Sequence, residues 1–319
     1  MIGFGDATAI DVDRGVPFAT PGERSLRLDL YRPGTREPTQ ATPSTARRAA
    51  VVLASGRDWQ APDRDDLARY ALDLAERGYV CVVPEYRGSD TAAFPAQIRD
   101  LKASIRWLRA SAAELGVDPA RIGVFGHAAG AHLAVLAALT PDDASLAPAP
   151  TAFGGVDTPS DPATASDALT AVVGVAGTYA LEQQPETDAL VSLLGGDREA
   201  EPDAWTRASP STYLGSGGPP TAPGDDGDRA QSGDTTGDTD ADGGQSADPG
   251  DDRPPILLLH GGDDAVVPPM ASELFYDLLE AHDVPAECVV AADAGHDVHV
   301  TQRAFVLQWT SGFLDRHLR

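Results

Sequence analysis

The sequence predicts an α/β fold, a mostly parallel central sheet of about eight strands with helices on both faces, and three observations predict it. Apolar runs of strand length alternate with helix-period segments through most of the 319 residues. Most of these runs are continuous rather than alternating, as strands covered on both faces must be. The composition, 42% hydrophobic and 23% charged, supplies ample material for a core. The chain is about twice the usual domain size, yet α/β folds of roughly 250 residues or more are often one domain, so residues 1–319 read as one.

The elements follow in order. Leu26, Leu28 and Leu30 alternate with Arg27 and Asp29, a half-buried strand suited to an antiparallel edge. Buried strands are expected at Ala50 to Ala54, Tyr79 to Val83, Arg121 to Phe125, Ala171 to Val175, Ile256 to His260 and Glu287 to Ala291. Leu67, Tyr70, Ala71, Leu74 and Ala75 recur at helical spacing and stop at Gly78, a C-terminal cap; Ile98, Leu101, Ile105, Leu108 and Leu115 do the same before Gly116. Further helices are expected from about Gly130 to Leu139, near Met270 to His282 and from about Val300 to Leu318.

Two segments break the alternation. Asp142 to Asp167, rich in Pro, Ala, Ser and Asp, reads as an irregular loop or small cap crossing the top of the sheet. Ala222 to Asp252 holds ten Asp, seven Gly and no apolar side chain larger than alanine, so it is expected to be a disordered acidic insert within the domain.

The formal charge of -25 argues against a nucleic-acid partner, because neutralising phosphates takes basic surface, and equally against an anionic membrane face. Lys102 is the only lysine, and an arginine-based minority beside 49 acidic residues resembles proteins of salt-loving organisms. No run approaches the roughly 18 apolar residues of a membrane span, and the start lacks the basic and apolar regions of a secretory signal, so the expectation is cytoplasmic. Cys81 and Cys288 sit in apolar runs and read as small buried hydrophobes. There is no metal-ligand cluster, phosphate-cradling loop or cofactor fingerprint, so neither a metal nor a cofactor is expected. The oligomeric state is left open.

The sharpest local signal is Gly123-Val124-Phe125-Gly126-His127-Ala128-Ala129-Gly130-Ala131-His132-Leu133, a strand ending in a Gly-x-x-x-Gly turn that enters a helix. In a nucleophile elbow only small residues fit around the turn, and the central residue stands exposed above the sheet. That residue should be serine; here it is Ala128. Alone, such a glycine pair reads as a plain strand-to-helix turn. The runs Leu28-Asp29-Leu30-Tyr31-Arg32-Pro33, Gly78 to Arg87, Phe94-Pro95-Ala96-Gln97, Ile105 to Arg109 and Gly116 to Ile122 closely resemble α/β-hydrolases of the hormone-sensitive-lipase and bacterial feruloyl-esterase-like (BD-FAE-like) group. The elbow, its alanine apart, also resembles that of kynurenine formamidases.

The resemblance implies the remaining triad positions. His260-Gly261-Gly262-Asp263-Asp264 resembles the family's acid loop, making Asp264 the carboxylate that orients the base; Ala294-Gly295-His296 resembles its histidine loop, making His296 the base. His127, His132 and His299 are read only as local hydrogen bonding or packing. The family's His-Gly-Gly-x-Trp oxyanion loop appears as Ser55-Gly56-Arg57-Asp58-Trp59. Ala129 could still offer its N–H to an oxyanion, but Arg57 in place of a glycine is not expected to reach positive φ cheaply. The Arg57 guanidinium could pair bidentately with a carboxylate ligand; the alternative is an Arg57–Asp58 pair facing solvent.

Two functional readings follow. In the first, an esterase-like scaffold without its nucleophile is inactive or very weak and binds a small ester-like or carboxylate ligand, or a partner. In the alternative, an active serine carboxylesterase or aryl-formamide hydrolase has had its serine replaced by Ala128. A third route, water activated by His296, predicts a slow rate that falls on His296→Ala.

Overall fold

The computed structural model describes residues 9–34, 47–60, 62–153, 157–215 and 253–319. The acidic stretch 222–252 lies outside the described residues. The sheet holds eight strands: β1 (Ile10–Ala19), β2 (Leu26–Pro33), β3 (Arg48–Ala54), β4 (Val80–Pro84), β5 (Val117–His127), β6 (Ala171–Val175), β7 (Ile256–Gly261) and β8 (Ala286–Ala291). Their spatial order is β1-β2-β4-β3-β5-β6-β7-β8. β2 runs antiparallel to both β1 and β4, and all other pairs are parallel. The strand expected at an antiparallel edge is therefore antiparallel but second from the edge. Its outer neighbour is β1, whose alternation is broken by an irregularity between Asp13 and Val16.

Nine helices occur among the described residues: α1 (Ala68–Glu76), α2 (Ala96–Ala110), α3 (Ala112–Leu115), α4 (Ala129–Leu139), α5 (Asp188–Leu194), α6 (Pro202–Arg207), α7 (Met270–Ala281), α8 (Val298–Thr301) and α9 (Arg303–Leu318). They cover both faces because strand side chains alternate. On β3, Ala50, Val52 and Ala54 point into the layer formed with α2, α4 and α7, whereas Val51 and Leu53 point into the layer formed with α1 and α9. Gly78 and Gly116 follow their helices at φ 98° and 65°, left-handed positions that open a C-terminal cap at little steric cost.

Cys81 is buried in β4, as expected, but Cys288 is only half-buried, because β8 is an edge strand. Among its described residues the segment 142–167 is irregular apart from one 3-10 turn, Pro150–Phe153. It leaves α4 and rejoins β6 at the end of the sheet where the parallel strands begin, and in between it lies against α2 and the end of β1. Its ends are tied together by Asp142 N–H donating to Asp167 and Asp167 N–H donating to Asp142, and Asp167 is bound by Lys102 and Arg106 of α2. The parallel order of the strands returns α4 to that end. No helix among the described residues is long and apolar enough to cross a membrane.

Candidate active site

The site forms where β3, β5 and β7 end. Position 128 sits between β5 and α4 at φ 51°, ψ -117°, a strained conformation for any residue with a Cβ. Close packing enforces it. A Cβ at Gly130 would lie 1.9 Å from the Ala54 carbonyl oxygen, and one at Gly126 would lie 2.2 Å from that of Gly130. These two glycines let the first turn of α4 press onto β3. The Ala128 amide donates to Val175 O at 2.8 Å, fixing the turn against β6. The elbow backbone is therefore complete, and its central side chain is a methyl group.

Asp264 and His296 meet as expected. His296 Nδ1 donates to Asp264 Oδ2 at 2.8 Å, which leaves Nε2 of that ring as the basic atom. The two loops are held together because Gly261 passes so close to the histidine loop that a Cβ there would fall 2.4 Å from both Ala294 O and Gly295 O. Asp263 N–H donates to Ala294 O across the same gap. Burial opposes charge on Asp264, but hydrogen bonds from His296 and the amides of Val267 and Val266 outweigh it and hold the carboxyl below its usual range.

His260 is a support the sequence reading left without a role. Its Nε2 donates to Val267 O at 2.9 Å and lies 3.2 Å from Asp264 Oδ2, while Nδ1 accepts from the Ser272 hydroxyl at 2.7 Å. Asp264 is thus flanked by two imidazoles. The signal that could have found His260 is its place at the end of β7, four residues before the acid.

The loop after β3 reaches positive φ, but not cheaply. Arg57, Asp58 and Trp59 all adopt positive φ, at 54°, 52° and 58°. Each such residue costs about 1–2 kcal/mol relative to the right-handed conformation, so the loop must be held from outside. Arg57 grips Asp66 with Nε and Nη2, both at 2.6 Å, and reaches Asp63 at 3.3 Å. Its partner is therefore not Asp58. Trp59 Nε1 donates to His132 Nδ1 at 3.1 Å, and the other side of that ring donates to Ala208 O at 2.6 Å. The Tyr86 hydroxyl bonds the carbonyls of Ser55 and Gly56, both at 2.9 Å. Gly56 then touches the elbow: a Cβ there would lie 2.8 Å from His127 O, 3.1 Å from Ala128 Cβ and 3.5 Å from Ala129 N. Ala129 opens α4, so its N–H is among the first-turn amides that have no acceptor within the helix.

Beside the elbow a cavity of about 280 Å³ is lined by Ser55, Gly56, Arg57, Leu67, His127 and His299, among others. His132 is a packed core histidine, as expected. His127 and His299 stack with ring centroids 3.6 Å apart, and His127 Nε2 donates to His296 O at 3.1 Å. Two buried polar atoms on this wall, Ser55 Oγ and His299 Nδ1, have no hydrogen-bond partner among the described residues. Among those residues no three His, Cys, Asp or Glu side chains converge as metal ligands would.

Burial pushes His127 down to about 3, and His132 and His299 to about 4, from 6.5. Between about pH 4 and 6.5 the unfolded chain binds protons that these folded imidazoles refuse, so stability contributed by the neutral rings is lost as pH falls through this range. The urea midpoint is expected to drop on acidification from pH 7 to 5; a midpoint that stays level or rises would contradict the burial of these rings.

Family models match two stretches: BD-FAE over residues 28–223, and the prolyl oligopeptidase family over residues 239–319. Esterase LipQ of Mycobacterium tuberculosis is 30% identical over 64% of this chain and 46% of its own length. The probable carboxylic ester hydrolase LipM of the same organism is 27% identical over 89% of this chain and 54% of its own. The chain thus spans about half the length of the curated relatives it matches. Among solved structures, a truncated carbohydrate esterase from gut microbiota superposes with a TM-score of 0.71 at 23% identity, covering 99% of both chains. Thermogutta terrifontis esterase 2 superposes with a TM-score of 0.67 at 21% identity, covering 98% of this chain and 95% of its own. At those identities the likeness is one of fold, and the matched family model supplies the rest: the chain belongs to the BD-FAE family and has an esterase-like α/β-hydrolase scaffold.

Proposed function

We propose that this chain binds a small neutral ester or amide at the elbow and does not form an acyl-enzyme from it. The observation that carries the reading is an assembled Asp264–His296 pair, 2.8 Å apart, beside an elbow whose central residue is Ala128. Asp264 takes the role of acid and His296 that of base, but alanine has no proton for the base to remove and no atom to attack a carbonyl. In this reading the backbone N–H of Ala129, at the start of α4, is the donor to the substrate carbonyl oxygen.

The cavity chemistry favours a neutral ligand over a carboxylate. His127 and His299 are uncharged at neutral pH because burial disfavours their protonated forms. The nearest cation, Arg57, is already bound in a fork by Asp66. Ser55 and His299 line the cavity, and their Oγ and Nδ1 are buried without a partner among the described residues, so a small shift of this wall would offer a donor and an acceptor to a ligand carrying both.

Butyramide and ethyl butyrate, followed by saturation-transfer NMR, are expected to bind saturably to the parent protein. Ser55→Ala should weaken butyramide about two- to tenfold, the worth of one neutral hydrogen bond. Absence of saturable binding, or a preference for butyrate, would overturn this reading.

A further inference from the structure

At the opposite end of the strands from the site, five arginines meet. Arg47 precedes β3, Arg48 opens it, Arg77 closes α1, Arg121 lies in β5 and Arg319 follows α9. Together with Ala49, Gly78 and Gly116 they line a depression of about 370 Å³. That size lies within the usual range for small-molecule sites. The chain has 24 basic residues against 49 acidic ones, so five guanidinium groups around one hollow run against its overall charge.

Several are held in place by the fold. Arg121 Nε pairs with Asp118 at 2.9 Å, and its Nη2 donates to Arg47 O at 2.5 Å. Arg319 pairs with Asp315 at 3.2 Å, donates to Arg77 O and stacks its guanidinium 4.4 Å over the Tyr79 ring. Arg77 Nη1 donates to Asp73 O at 2.7 Å. Asp118 and Asp315 balance two of the five cations. The excess of positive charge around one hollow favours entry of an anion.

We infer that this depression is a binding site for a small multivalent anion bearing phosphate or carboxylate groups, separate from the elbow. Guanidinium forks match both groups bidentately, and a hollow already shaped by Asp118, Tyr79 and Asp315 loses little freedom on binding. Because several charges act together, binding weakens steeply as salt rises.

Isothermal titration of the parent protein with pyrophosphate, with citrate and with acetate, at matched ionic strength, tests the inference. One-to-one binding of pyrophosphate, of citrate or of both is expected, with acetate giving no saturable heat. A response to pyrophosphate alone identifies a phosphate ligand, and a response to citrate alone a carboxylate one. The exposed pair Arg48→Ala/Arg77→Ala should weaken binding about tenfold or more, as expected for lost charge-assisted hydrogen bonds. Arg24→Ala, exposed in the turn between β1 and β2 at the other end of the strands, should leave it unchanged. Arg77→Lys, which keeps the charge and the surface fold but loses the fork, should weaken it several-fold. No binding of either anion, or equal affinity in the Arg48/Arg77 double variant and the parent, would overturn the proposal.

Discussion

Ala128→Ser is expected to raise hydrolysis of p-nitrophenyl acetate by about 10²- to 10⁴-fold over the parent protein, the usual worth of a positioned general base acting on a nucleophile. The backbone already holds position 128 at φ 51°, so serine adds an Oγ without adding backbone strain. His296 already has Nδ1 on Asp264, leaving Nε2 to take the serine proton. Adding His296→Ala to Ala128→Ser should remove the gain, since the two residues act as one unit. In the parent, His296→Ala should leave the rate at background. A fall in that variant would instead mean that His296 activates water.

Asp167→Ala is expected to be the most damaging single change away from the site. The carboxylate is fully buried and accepts from Lys102 Nζ at 3.1 Å, from Arg106 Nε and Nη2 at 2.8 and 2.6 Å, and from Asp142 N at 2.8 Å. Removing it leaves the buried Lys102 ammonium with the Thr140 carbonyl alone. Losing one partner of a buried ion pair costs about 3–5 kcal/mol, against the ~5–15 kcal/mol by which domains are stable. Urea unfolding should show the midpoint fall with the slope unchanged, and Asp167→Asn should fall between parent and Ala. A loss below about 1 kcal/mol would mean that solvent reaches Lys102.

The parallel half of the sheet was legible because burial on both faces writes unbroken apolar runs. Ala171–Val175 came out residue for residue. β1 was missed because Gly15, Pro17 and the irregularity after Asp13 interrupt its alternation on an exposed edge. α5 and α6 were missed because seven and six residues are too short to display a helical period. The helix expected to run from Ile98 to Leu115 divides at Ser111, and the last one divides at Gln302.

At the site, Asp264 and His296 were legible from the loops that carry them, and their 2.8 Å contact follows. The conformation of Arg57 to Trp59 was not. A local argument from side-chain type put positive φ out of easy reach, whereas Asp66, His132 and Tyr86, distant in sequence or on other elements, impose it. The closeness of His127 and His299 to the cavity escaped for the same reason, since 172 positions separate two rings whose centroids lie 3.6 Å apart.

The proposed function makes position 128 the nucleophile position of an otherwise assembled site, with no other side chain in its place. Intact-mass spectrometry after exposure to diethyl p-nitrophenyl phosphate tests it most directly. There a serine Oγ attacks phosphorus, p-nitrophenolate leaves and the serine proton passes to His296. The parent protein is predicted to gain no diethylphosphoryl group, and Ala128→Ser to gain one, mapped to residue 128. An adduct on the parent, at Ser55 or elsewhere, or none on folded Ala128→Ser, would contradict it.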